Sequence, residues 1–178
     1  MEIILAENHG FCYGVKRAVE MANEAADGKG KSYTLGPIIH NPQVVGRLES
    51  KGVSPIQEVA DIDEGTMIIR SHGVGPAIYA EAEEKGLHIL DATCPHVKKA
   101  QQDAKSVIED GMTLLILGEK NHPEVKSINL WANNKGIIIE DEESAQKLQI
   151  VEKMGVVVQT TFSQFKFNSI IEILEKKS

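Results

Sequence analysis

The chain has 178 residues, of which 42% are hydrophobic and 25% charged, enough for one sizeable core or two small ones. A formal net charge of -7 and only 4% aromatic residues argue against nucleic acid or an anionic membrane as partner, since there is neither a general positive field nor a stacking platform. Met1 to Glu7 lacks the basic start and apolar length of a signal peptide, and no stretch reaches the apolar length of a membrane span. A cytoplasmic protein is therefore expected, in which Cys12 and Cys94 serve as thiols or metal ligands. A Cys12–Cys94 disulfide in oxidised material is the alternative.

In chain order, Ile3 to Ala6 reads as a short buried strand. The glycine-flanked turn from His9 to Gly14 follows, and then a helix face of Val15, Ala18, Val19, Ala22 and Ala26. Ser32 to Ile39 reads as a strand ending at His40, and Asn41-Pro42 opens a helix closed by Gly52. Thr66 to Arg70 is a strand ending at Ser71-His72-Gly73, and Pro76 to Lys85 the next helix. Gly86 to Leu90 is a strand leading into Asp91-Ala92-Thr93-Cys94-Pro95, and a helical spacing of apolar residues runs on to Gly111, capped by Thr93 or Asp91. Met112 to Leu117 ends at Gly118-Glu119-Lys120-Asn121-His122, and Pro123 starts another helix. Gly136 to Ile139 is a strand, Glu142 to Leu148 a short helix, Val156 to Val158 the last strand and Ser163 to Lys177 the closing helix.

Alternating strands and helices predict an α/β chain of two small domains, with mainly parallel sheets flanked by helices. The expected domains are 1–94 and 95–178, with about four strands each. In such sheets ligands bind beyond the carboxyl ends of the strands. Cys12, His40, His72, Cys94, His122 and Thr160 each stand just after a predicted strand, and most stand just before a helix. Each also has a plain explanation. His40 and His122 lie ahead of Pro42 and Pro123 and can satisfy a helix-start amide, and His72 can be a turn residue. Glu124 is favoured in a first turn by the helix dipole, and Thr160 or Thr161 can cap the last helix. His9, His88 and His96 read as surface or packing residues. Together the six suggest either zinc held by mixed sulfur and nitrogen ligands, or an iron–sulfur cluster on the thiolates with an anion held by histidines and helix N-termini.

Gly10-Phe11-Cys12-Tyr13-Gly14-Val15, His40-Asn41, Ser71-His72-Gly73-Val74, Asp91-Ala92-Thr93-Cys94-Pro95, His122-Pro123-Glu124-Val125 and Gln159-Thr160-Thr161 occur in this order. The set resembles the LytB family of 4-hydroxy-3-methylbut-2-enyl diphosphate reductases, iron–sulfur enzymes of the non-mevalonate isoprenoid pathway. The resemblance implies that Cys12 and Cys94 are two of three cysteines holding a [4Fe-4S] cluster, and that His40, His72 and His122 contact the diphosphate of an allylic substrate. It implies Glu124 as the proton-supplying acid, in a network with Thr160. Ferredoxin or flavodoxin is the implied electron donor, and isopentenyl and dimethylallyl diphosphate are the products. The family's third cysteine and its Ser-x-Asn contacts lie in a third domain beyond the matched region. The chain is therefore expected to hold two domains of three, to be apo or incompletely loaded, and to be inactive alone. Residues 1–13 are assigned to that third domain, leaving Met1 to His9 mispaired, frayed or against another chain. A phosphate- or metal-binding module without redox activity is the alternative reading.

Overall fold

The structure, a computed structural model, describes residues 2–7, 9–28, 30–149 and 153–177. Two parallel sheets carry the fold. The first has the order β2-β1-β3-β4, from β1 (Ser32–Leu35), β2 (Val53–Ile56), β3 (Thr66–Ile69) and β4 (His88–Asp91). The second has the order β6-β5-β7, from β5 (Thr113–Leu117), β6 (Ile137–Ile139) and β7 (Met154–Val158). Every pairing is parallel, with β1 against β2 and β3, and β5 against β6 and β7.

Parallel strands need helical crossovers, which bury both sheet faces. On the first sheet, α1 (Tyr13–Asp27) and α2 (Pro42–Ser50) cover one face through Ala18, Val19, Ala22, Val44 and Leu48. The other face carries Val59 of a short 3-10 turn and Ala82 of α3 (Pro76–Glu84). The second sheet lies between α4 (Pro95–Glu109) with α5 (Pro123–Trp131) on one side, and α6 (Glu142–Lys147) with α7 (Gln164–Lys177) on the other. The central strand β5 has Leu114, Leu115, Ile116 and Leu117 wholly buried. Four of the helices begin with proline at their first position, where the missing N–H costs no hydrogen bond.

The alternation of strands and helices and the two-sheet architecture agree with the sequence. Four details differ. Ile3 to Ala6 forms no strand: Ile3, Ile4 and Leu5 are 74%, 83% and 76% exposed. An apolar run shows a wish to be buried but names no partner, and β1 already has neighbours on both sides. Residues 2–7 and 9 take no part in the first sheet. The strand at 53–56 went unread because it contains Pro55, which is tolerated here at a sheet edge. The first strand stops at Leu35, four residues short of its predicted end, where Gly36 turns with φ +71. The sheets have four and three strands rather than about four each.

Ile116→Ala, in the centre of the second sheet, is expected to lower unfolding free energy by about 2–5 kcal/mol. Ile4→Ala should change it by less than about 0.5 kcal/mol, as for a surface site. Urea denaturation of the two variants checks both.

Candidate functional site

The candidate residues meet because each sheet keeps its parallel register beyond the last paired strand residue. Past β1, β3 and β4, the Ser71 N–H donates to the Ile38 carbonyl at 3.3 Å and the Cys94 N–H to the Ser71 carbonyl at 2.9 Å. The loops bearing His40, His72 and Cys94 are thereby laid side by side. In the second sheet the Gly118 N–H donates to the Ile139 carbonyl at 3.0 Å and the Gln159 N–H to the Leu117 carbonyl at 2.8 Å. This aligns the loops leading to His122 and Thr160.

Cys12 and Cys94 are the N-cap residues of α1 and α4, and neither helix start has a side-chain cap. The first N–H groups of both helices are thereby left open to an anionic partner. Both thiols are free, Cys12 exposed and Cys94 partly buried. Cys94 Sγ lies where the Cβ of any larger residue at Gly14 would stand, 2.5 Å from that position. Glycine there lets the start of α1 pack directly against Cys94. Arg17 of α1 fastens the same corner, donating to the Thr93 and Asp91 carbonyls at 3.2 and 3.3 Å.

The corner itself is shaped by Asp91. Its carboxylate accepts from the Thr93 N–H at 2.9 Å and the Tyr79 hydroxyl at 3.1 Å, and pairs with Lys98 at 2.7 Å. Burial works to raise the Asp91 pKa, but the bonds from Lys98 and Thr93 prevail and it lies below the usual value. Burial, and then the Asp91 charge, raise that of Tyr79. The expected cap by Thr93 or Asp91 is not made: Cys94 holds the cap position, and Asp91 turns back onto Thr93.

His40, His72 and His122 form one cluster, with ring centroids 4.6, 5.4 and 6.0 Å apart. One nitrogen from each lies within 4.8 Å of the others. Burial pushes the His72 imidazole down to about 4, helped by His40, Arg70 and His122 around it, and its Nδ1 is buried without a hydrogen-bond partner. His122 caps α5, its Nδ1 accepting from the Glu124 N–H at 3.2 Å. That bond puts the ring proton on Nε2, as a donor. Beside His40 and His72 a hollow of about 240 Å³ reaches Phe11, next to Cys12.

Glu124 is 2% exposed. One carboxylate oxygen accepts from the Thr160 N–H at 2.6 Å and the other from the Thr160 hydroxyl at 2.8 Å. Thr160 is thus not a helix cap; Ser163 stands at the start of α7, its carbonyl accepting from the Phe167 N–H at 2.9 Å. The structure therefore brings the three histidines together, pairs Glu124 with Thr160, and sets Cys94 against the turn that carries Cys12.

Sequence reasoning missed the residues that dock the first sheet's loops onto the second unit. The Trp131 indole N–H donates across to the Val74 carbonyl at 2.9 Å, while Gln101 Nε2, held within the second unit by the Ser127 hydroxyl at 2.6 Å, forms the surface that Gly73 meets. A Cβ on Gly73 would stand 2.4 Å from Gln101, and one on Gly75 would stand 2.8 Å from Leu130. Only the glycines flanking Val74 hinted at so close an approach.

A family model described as LytB protein matches residues 3–178. The chain is 48% identical over 172 residues to 4-hydroxy-3-methylbut-2-enyl diphosphate reductase of Geotalea uraniireducens, covering 97% of this chain and 61% of that protein. It is 48% identical over 178 residues to the enzyme of the same name from Geobacter metallireducens, covering 99% and 63%. A solved structure of (E)-4-hydroxy-3-methyl-but-2-enyl diphosphate reductase, described as the terminal enzyme of the non-mevalonate pathway, superposes with a TM-score of 0.86 at 42% identity, covering 98% of this chain and 63% of that one. The reductase from Plasmodium falciparum gives 0.90 at 32% identity, covering 96% and 55%. The chain thus spans about three fifths of the length of these relatives.

Between pH 6.5 and about 4 the unfolded chain takes up a proton that folded His72 refuses. Its contribution to stability is therefore intact above pH 6.5 and lost as the pH falls towards 4. Denaturation at a series of pH values should show that loss in the parent and a flatter profile in His72→Gln.

Proposed function

The chain belongs to the LytB protein family, and on that premise we propose that it carries much of the catalytic apparatus of a reductase acting on 4-hydroxy-3-methylbut-2-enyl diphosphate. The observation that carries the reading is three imidazoles from three loops, gathered beside the buried Glu124–Thr160 pair in a chain of net charge -7. A small anion could be drawn here only by local donors, and these are local donors.

Cys12 and Cys94, free and at uncapped helix starts, suit two of the thiolate positions of a [4Fe-4S] cluster, which needs further ligands than this chain's two cysteines. When bound, such a cluster supplies single electrons and a Lewis-acidic iron beside the substrate hydroxyl. His40, His72 and His122 grip the diphosphate, His122 through its Nε2–H. An anion beside His72 offsets the repulsion among the rings, so binding raises that imidazole's pKa and takes up a proton. Glu124, bonded through both carboxylate oxygens to Thr160, relays protons by way of that hydroxyl: one goes to the substrate hydroxyl, which leaves as water, and one goes to either end of the allyl anion that the two electrons generate. The products are isopentenyl and dimethylallyl diphosphate, and the electrons come singly from a ferredoxin or flavodoxin.

We take residues 1–94 and 95–178 as the two domains and the cytoplasm as the compartment. No helix among the described residues is long and apolar enough to cross a membrane. Zinc on the three histidines would fit the nitrogen spacing. It would have to displace the Nε2 proton of His122 or break its bond to the Glu124 N–H, and this favours the anion reading over a metal-binding module.

The test is reductase turnover by this chain joined to the remaining part of a full-length relative. Glu124→Gln should lower turnover at least about 100-fold, as for loss of a general acid, and Cys12→Ser and Cys94→Ser should abolish it. Turnover near the parent value in any of the three would contradict the assignment.

A further inference from the structure

A second cavity, of about 300 Å³, opens between the two sheets' units, lined by none of the three histidines, although Arg70 in its wall lies close enough to His72 to oppose its charge. Arg70, from the end of β3, lies in its wall together with Lys126 of α5. The guanidinium has no carboxylate or hydrogen-bond partner among the described residues, and its Nε is fully buried and unpartnered. Burial works against its charge. Arg70 as a whole is only partly buried, and a partly desolvated cation facing a cavity with no paired acid is a ready partner for an anionic ligand. The neighbouring backbone is shaped around it: a Cβ on Gly36 would stand 2.8 Å from Arg70 Nη1, and Gly36 has φ +71. No Asp or Glu lines the cavity, although acidic residues outnumber basic ones in the chain by 26 to 19. The rest of the wall is largely apolar, with Leu35, Val74, Ile78 and Leu130.

We propose that this cavity binds a small organic anion carrying a short hydrocarbon tail, its phosphate- or carboxylate-type head paired with Arg70 and Lys126 and its tail against Leu35, Ile78 and Leu130. Arginine presents a planar fork that suits such a head bidentately, and Lys126 adds a second charge from the other unit. The ligand would therefore bridge the two units. None of its lining residues is assigned a role in the reductase reading, though Arg70 neighbours His72.

Hexyl phosphate is a suitable probe, titrated into the whole chain by calorimetry and by the fluorescence of Trp131. That residue is the single tryptophan, and its indole donates to the Val74 carbonyl in the cavity wall. The chain with His40, His72 and His122 all replaced by alanine serves as background, so binding at the histidine cluster cannot be mistaken for binding here. The site should take one equivalent in that background, with a fluorescence change. Arg70→Gln should weaken binding at least tenfold. Lys126→Gln, at an exposed position that leaves folding undisturbed, should weaken it several-fold, and inorganic phosphate should bind more weakly than hexyl phosphate. No binding in the histidine-free background, or equal affinity in the parent and the Lys126→Gln variant, would overturn the proposal. Equal affinity for phosphate and hexyl phosphate would overturn the tail-binding wall.

Discussion

The contact on which the rest depends is the close seating of Gly73-Val74-Gly75 against α4 and α5. Side chains at either glycine would collide with Gln101 or Leu130, so the backbone itself forms that face of the joint. Trp131 then reaches across to the Val74 carbonyl, and its ring stands edge-on to Tyr79 at 6.1 Å. His72 directly precedes this segment and His122 opens α5. The distance between the two imidazoles is therefore set by backbone packing rather than by flexible side chains. A gap of even a few ångströms here would give two isolated histidines, neither able to share one anion.

The opposite side of the site follows the same logic. Arg17 ties α1 to the Asp91–Thr93 corner, and Gly14 leaves room for Cys94 Sγ. The two thiol-bearing helix starts are thus locked together at the end of β4, beside the end of β3 that leads to His72. Parallel sheets place every strand's carboxyl end at one edge and aim the following helices' N-termini there. In this chain that geometry gathers three imidazoles and two helix-start cysteines at strand ends without a basic surface. The depressed pKa of His72 fits the same crowding, since burial and then His40, Arg70 and His122 all oppose its charge.

Much of this was legible in the sequence because it is local. Strand ends followed by Cys, His or Thr, and helix starts marked by Pro42, Pro76, Pro95 and Pro123, are short-range signals, and all four prolines open helices. The pairing of Glu124 with Thr160 was reached only through resemblance, as the residues lie 36 positions apart. Partners were what the sequence withheld. The apolar run at Ile3 to Leu5 reads as a strand until one asks what it would pair with, and β2 hides behind Pro55. Arg17, Gln101 and Trp131 look like ordinary helical surface or core residues, and their roles appear only when α1, α4 and α5 are set against the first sheet's loops.

The account's central claim is that imidazoles from two separate sheets act on one anion. Calorimetric titration of inorganic diphosphate into the chain and its His72→Ala, His122→Ala and doubly substituted forms tests it most directly. The account predicts one site, a loss of at least tenfold in each single variant, and a loss in the double variant smaller than the product of the two, because the rings share a ligand. Losses that multiply independently, or diphosphate binding untouched by either substitution, would contradict it.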